Sequence, residues 1–295
     1  MAKNTVILGV TPGTGPVLEE EFPELKTIGI EPYKIRYSKS LPLLMKLFSD
    51  APRISGVIQK EQAQLKAIVQ EHAIDLIISD NRPGLSHERV ESIYMTHQLQ
   101  IRAGIWSAAA NRIHRRYMQT FSKVWVPDFE DRELSLAGEL SANTGLDHVQ
   151  YIEPLSRLDA GIKKSERIDY LILLSGVEPQ RTLLEEALCR AFVHTIKKVT
   201  LIRGTTNAAT LPFPKTMRVI DLANAAQLSQ LICNAEVIVC RSGYSSLMDL
   251  HHLQKKQMVL IPTPGQTEQE YLATHWSKHF GATIVAQARI ADWKP

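Results

Sequence analysis

The sequence predicts an α/β protein built from two Rossmann-like domains with parallel sheets. Three observations predict it. Short β-branched runs alternate with longer amphipathic stretches along the chain, as strand–helix winding requires. The runs are apolar throughout rather than at every second residue, which suits strands covered on both faces. And 295 residues divide into about two domains of roughly 150 each.

Taken in order, strands are expected at Thr5–Val10, Thr27–Ile30, Leu76–Ser79, Ser92–Met95, Lys123–Val126, Tyr170–Leu174, Lys198–Ile202, Met217–Val219, Val237–Cys240, Met258–Ile261 and Ala282–Val285. Helical patterns fall between them at Ser40–Phe48, Ile54–Glu71, Arg181–Phe192, Ala225–Cys233, Tyr244–Leu253 and Glu268–Lys278. A boundary is expected across Pro154–Arg167, where EPLSRLDAGIKKSER is polar, basic and weakly periodic. This gives an N-terminal domain of residues 1–160 and a C-terminal domain of 161–295. Two such domains leave a cleft between the carboxyl ends of their strands, where open α/β sheets take ligands.

Composition excludes several classes. A hydrophobic fraction of 44% with 22% charged residues is globular, so disorder, collagen and coiled coil are out. The formal charge of +3 is too slight to point to nucleic acid. No apolar run approaches the roughly 18 residues of a membrane span, and Met1-Ala2-Lys3-Asn4 leads into a strand rather than a signal-peptide core. Cys189, Cys233 and Cys240 form no CxxC and fall in apolar stretches, which reads as reduced core thiols in a cytoplasmic protein.

Three segments share a strand–turn–helix pattern rich in small residues. In Cys240-Arg-Ser-Gly-Tyr-Ser-Ser-Leu-Met-Asp249, Gly243 permits a sharp turn and a close approach, and the hydroxyls of Ser242, Ser245 and Ser246 stand at a helix start. The first amides of that helix, at its positive dipole end, suit an anion; the same residues also read as a plain capped helix. Ser175-Gly-Val-Glu-Pro-Gln-Arg-Thr182 repeats the logic, with Gly176 ending the strand and Gln180, Arg181 and Thr182 in the first helical turn. Together the two turns suit a diphosphate. In Pro262-Thr-Pro-Gly-Gln-Thr-Glu-Gln-Glu-Tyr271, Thr267 and Glu270 have capping-box spacing, while Gln266, Glu268, Gln269 and Glu270 could serve the adjacent hydroxyls of a sugar.

The run AEVIVCRSGYSSLMDL, followed by VLIPTPGQTEQEYLA, resembles the C-terminal domain of family 28 glycosyltransferases, nearest to their peptidoglycan N-acetylglucosaminyltransferase branch. The resemblance is specific over roughly Tyr170–Thr274. It implies GT-B architecture: two Rossmann-like domains, an inter-domain cleft and a UDP-sugar on the C-terminal domain. By motif position, Ser242, Gly243, Tyr244 and Ser245 would face the diphosphate, with Gly176 and Gln180 in the donor-side glycine turn; from their place in the same two turns, Ser246, Arg181, Thr182 and Arg241 read as further diphosphate donors. Asp249 stands where the family has an acidic residue on the uridine ribose, and the loop around Asn224 and Ala225 would present backbone to the uracil. Gln269 and Glu270, with Gln266 beside them, would touch the donor sugar. Family members open with a strand and a Gly-rich loop ending in His. Here Thr5–Val10 and Thr11-Pro-Gly-Thr-Gly-Pro16 look like the family's second strand and the loop after it, so the first β-α unit is expected to be missing.

Asp80 and His97 come just after two N-terminal strands, at positions that face ligands in α/β folds. Each reads as an acid–base group for an acceptor hydroxyl or as a turn or core residue, and a pairing across adjacent strands is expected. The tract Asn111-Arg-Ile-His-Arg-Arg-Tyr117 reads as a solvated helix face or as a contact for an anionic lipid or pyrophosphate acceptor. No metal-ligand spacing and no DxD pair is evident, so no metal or cofactor is expected beyond a UDP-sugar co-substrate. The function implied is inverting transfer of a hexose or N-acetylhexosamine to a hydroxyl acceptor. A nucleotide-sugar hydrolase or epimerase of the same fold, or a non-catalytic nucleotide-sugar-binding subunit, are the alternatives.

Overall fold

A computed structural model describes residues 4–32, 43–102, 104–207 and 212–293. The chain divides into two compact units, Met1–Val126 with Asn143–Tyr151, and Pro127–Ala142 with Ile152–Pro295. It passes from one to the other three times, where the sequence pattern predicts one boundary after residue 160.

Among the described residues, the first unit holds two parallel sheets. Strands β1 (Ile7–Val10) and β2 (Lys26–Gly29) pair with each other around helix α1 (Gly15–Glu21). After helix α2 (Leu43–His72) come β3 (Leu76–Asp80), β4 (Glu91–Met95), helix α3 (Ser107–Met118), β5 (Lys123–Val126) and β6 (Val149–Tyr151), which form a four-stranded sheet in sequence order. Two expectations are corrected here. The two helical patterns on either side of residues 49–53 belong to one helix, and the Ser40–Pro42 start lies outside the described residues. Strand β6 is absent from the sequence pattern, because three residues carry no measurable period. The core of this unit is Tyr94, Leu99, Met118, Phe121, Val124, Val126 and Leu146.

The second unit carries β7 (Ile168–Leu173), α4 (Gln180–Ala191), β8 (Val199–Ile202), β9 (Met217–Ile220), α5 (Ala225–Asn234), β10 (Ala235–Cys240), α6 (Tyr244–His252), β11 (Met258–Leu260), α7 (Thr267–Phe280) and β12 (Thr283–Ile284). All six strands are parallel, in the order β12-β11-β10-β7-β8-β9. That is the doubly wound arrangement, with its reversal of strand order between β7 and β10. Alternate residues enter opposite cores. Leu171, Ile238 and Leu260 join Leu231, Leu247, Leu272 and Trp276 from α5, α6 and α7. Ile172, Val239 and Val259 join Leu184, Leu188 and Phe192 at α4. Both faces are covered, which is why the strands read as unbroken apolar runs.

Residues 127–142 fold into this unit around one carboxylate. Asp128, fully buried, accepts from the Phe129, Leu136 and Ala137 amides at 2.9, 2.8 and 3.1 Å and from the Ser135 and Ser141 hydroxyls at 2.6 and 2.7 Å. Helix α7 holds the segment through Trp276 Nε1, which donates to Leu136 O at 2.9 Å. No helix among the described residues is long and apolar enough to cross a membrane.

Candidate functional site

In doubly wound sheets the ligand crevice lies at the carboxyl ends of the strands where the order reverses. Here that point is between β7 and β10, whose register pairs Leu173 with Cys240. The turn 174–179 and the turn 241–243 are therefore neighbours, and the turn 261–266 comes after β11 on the other side of β10. The three small-residue turns singled out in the sequence come together on one sheet edge.

Arg241 joins them. Its guanidinium donates to the carbonyls of Ile261 at 3.1 Å, Pro262 at 3.2 Å and Gln180 at 2.9 Å. It is 1% exposed, makes no ion pair among the described residues, and its buried Nε has no partner there. Burial lowers its pKa to about 10. A buried charge normally sits against an opposite charge; Arg241 has only carbonyl dipoles. The sequence pattern has it donating to a diphosphate directly. The geometry instead gives its bound N–H groups to the two turns on either side of its own and leaves the positive charge itself as the contribution.

Two residues on, α6 begins with Gly243 at its N-cap and no side-chain cap, so the first amides of the helix have no intrahelical acceptor. Gly243 has φ −75° and ψ 140°, which any residue adopts, and a Cβ there would meet nothing within 4 Å. Neither the backbone nor the packing of the fold requires glycine at this position. Ser245 is exposed and Ser246 half-buried, and Asp249 shares their face by helical spacing, about 9 Å along the axis from Gly243. Asp249 Oδ1 accepts from Ser156 Oγ at 2.7 Å. Burial raises its pKa above the carboxylate range, while Ser156, Arg157 and His252 draw it back.

Two hydroxyls expected at the diphosphate turn inward. Ser242, fully buried, donates to Gln269 O at 2.7 Å, and Tyr244 donates to Pro127 O at 2.7 Å. Both side chains are committed to packing, because residues flanking a strand end in a two-sided sheet face the cores.

The second helix mouth is closed. Glu178 Oε2 accepts from the Thr182 amide at 3.2 Å and Oε1 from Arg181 Nε at 2.7 Å, so the protein's own carboxylate occupies the anion position of α4. Burial opposes its charge, but the bonds from Arg181 and Thr182 hold it below its usual pKa. Arg181 is buried, with Nη1 donating to Glu185 at 2.9 Å, and Nη2 donates to Thr182 Oγ1 at 2.6 Å. Glu185 also takes Arg203 Nε at 2.8 Å, and Arg203 reaches Asp221 at 2.8 Å. This ion network, invisible in the sequence because its members are scattered from Glu178 to Asp221, ties the ends of β7, β8 and β9. Arg181 and Thr182 are thus framework groups, a correction to their reading as phosphate donors. Gln180 bonds Gln287 through its side chain at 3.1 Å. Gly176 stays exposed at φ +98°, with no atom where a Cβ would stand.

At the third turn the helix cap is Gln266, not Thr267. Glu270 Oε1 accepts from the Gly265 amide at 3.0 Å instead of completing a capping box, and Gln269 Oε1 accepts from the Thr263 amide at 2.9 Å. Among the described residues, that leaves the Gln269 amide nitrogen as a donor and the second Glu270 oxygen as an acceptor on the turn. Asn224 caps α5 in a capping box with Gln227, accepting from its amide at 2.9 Å, and leads into Ala225.

In the first unit, Asp80 ends β3 and His97 lies just beyond β4; burial raises the Asp80 carboxyl above its ordinary value and the charge of His97 draws it back. Asp80 is exposed to solvent at the end of its strand.

Residues 171–293 match the glycosyltransferase family 28 C-terminal domain. None of the curated proteins matches the sequence. Among solved structures, the calicheamicin glycosyltransferase CalG4 is similar with a TM-score of 0.62 at 11% identity, over 97% of this chain and 80% of that one. The spinosyn rhamnosyltransferase SpnG, solved with thymidine diphosphate, is similar with a TM-score of 0.56 at 13% identity, over 97% of this chain and 82% of that one. MurG of Acinetobacter baumannii is similar with a TM-score of 0.51 at 11% identity, over 97% and 79%. At these identities the likeness is one of fold, and the fold is that of GT-B glycosyltransferases.

Proposed function

We propose that the protein is a glycosyltransferase that binds a UDP-sugar on its second unit and moves a hexose or N-acetylhexosamine to a hydroxyl acceptor. The observation that carries this reading is Arg241, a buried guanidinium without a carboxylate, two residues before an uncapped helix whose N-cap glycine clears open space. A diphosphate at Gly243 supplies the missing negative charge. The amides of residues 244–246 with the Ser245 and Ser246 hydroxyls would hold it, Asp249 would meet the ribose, the Asn224–Ala225 loop the base, and Gln266, Gln269 and Glu270 the sugar.

In an inverting transfer the acceptor hydroxyl attacks the anomeric carbon as UDP leaves. Preorganised positive charge from Arg241 and the α6 terminus stabilises the charge that develops on the diphosphate, which is the task a metal would otherwise have. His97, with Asp80 beside it, is assigned to take the acceptor proton. Incubation with UDP-N-acetylglucosamine, with free UDP monitored over time, tests the reading. Turnover that needs an added acceptor supports transfer, release of sugar into water supports a hydrolase, and calorimetric binding of UDP with no turnover under either condition supports a binding subunit. Absence of UDP binding refutes the donor site.

A second observation concerns the acceptor. No Asp or Glu lies between Glu91 and Asp128, while Arg102, Arg112, Arg115, Arg116 and Lys123 do. On the wetted side of α3 and the turn before it, Ile105 is 91%, Ile113 50% and Trp106 46% exposed. Apolar side chains among arginines suit an anionic lipid surface, so we propose a lipid-linked acceptor of the cell envelope, met at the cytoplasmic face of a membrane.

A further inference from the structure

Asn81 is a non-glycine residue in the left-handed region, with φ 55°, at the end of β3. Asparagine tolerates that conformation better than most residues, and such backbone concentrates where side chains must be aimed. Its amide donates to Met95 O at 2.9 Å, extending the β3–β4 ladder one residue past Asp80. Its Oδ1 accepts from the hydroxyl of Tyr94 at 2.8 Å and that of Thr96 at 3.4 Å. Thr96 Oγ1 in turn accepts from the Gln98 amide at 3.1 Å, turning the chain around residue 97. The residue after Asp80 is thereby bonded to the residue before His97. Tyr94 is 2% exposed, so the anchor of this bond is part of the core.

We propose that Asn81 is a positioning residue that holds Asp80 alongside His97, anchored by the buried Tyr94 hydroxyl. The proposal rests on the reading of that pair as the acceptor-side base. The charged and titratable groups facing Asp80 are His97 and, from β4, Tyr94; Arg82, next along the turn, is engaged with Glu61. Burial, and after it the Asp80 charge, raises the Tyr94 phenol, so its hydroxyl remains a proton donor to Asn81 at neutral pH.

The test is a ¹³C-carboxyl NMR titration of Asp80 in the wild type, His97→Ala, Asn81→Gly and the double variant. Glycine fits φ 55° without strain, so Asn81→Gly removes the side-chain amide and keeps the turn. Loss of His97 attraction raises the Asp80 midpoint. Asn81→Gly is expected to raise it by about half a pH unit or more when His97 is present and to add nothing when His97 is already alanine; Tyr94→Phe moves it in the same direction. An unmoved midpoint in Asn81→Gly, or an equal shift with and without His97, overturns the proposal. Failure of the base assignment looks different: turnover of UDP-N-acetylglucosamine unaltered in Asp80→Asn and His97→Ala, whatever the titration shows.

Discussion

Replacing Gly243 by valine separates ligand from fold. In the folded state a Cβ at this position meets no atom within 4 Å and the backbone stays in a region open to any residue. A poor N-cap residue costs about 1 kcal/mol, and removing glycine's freedom from the unfolded chain returns about 0.4–1 kcal/mol. The net change in stability is expected within about 0.5 kcal/mol. A bound diphosphate fares differently, because the branched side chain enters the space above the amides of residues 244–246. Losing one charge-assisted hydrogen bond, at about 1.5–3 kcal/mol, weakens binding roughly ten- to a hundredfold or more. Calorimetry with UDP measures the second quantity and urea unfolding the first. Unchanged UDP affinity in a stable Gly243→Val protein refutes the site. A stability loss above about 2 kcal/mol refutes the claim that folding does not need this glycine.

Other parts of the molecule give three more tests. Glu185→Ala leaves the buried guanidinium groups of Arg181 and Arg203 without their shared carboxylate and should cost about 3 kcal/mol or more in urea unfolding, with Glu185→Gln milder. Burial raises the Cys189 and Cys240 thiols to about 11 and about 12, so at pH 8 both stay protonated; mass spectrometry after iodoacetamide should find neither alkylated until the protein unfolds. Ile105→Glu with Ile113→Glu should abolish cosedimentation with vesicles containing phosphatidylglycerol, and salt should weaken the wild-type contact; equal sedimentation of both proteins removes the membrane assignment.

Much of the second unit is legible in the sequence because its strands are covered on both faces. Ile172, Val239 and Val259 are apolar for one core while Leu171, Ile238 and Leu260 serve the other, so each strand appears as a continuous run. The small residues at 175–176, 242–246 and 262–265 also mark strand–helix turns by composition alone. In the first unit, the pairing of β1 with β2 apart from the four-stranded sheet, as it stands among the described residues, is not legible, since registers between distant segments leave no local period.

The sequence by itself determined the winding of strands and helices and the small-residue turns that follow β7, β10 and β11. Those features are local: each arises from residue type and spacing within a few turns of chain. Only the tertiary structure decided which groups face a ligand. Glu178 filling the mouth of α4, Ser242 and Tyr244 turning inward, and Arg241 buried without a carboxylate depend on atoms brought together from distant positions. Side-chain direction at a strand end is set by the cores on either side, and no spacing rule carries that information.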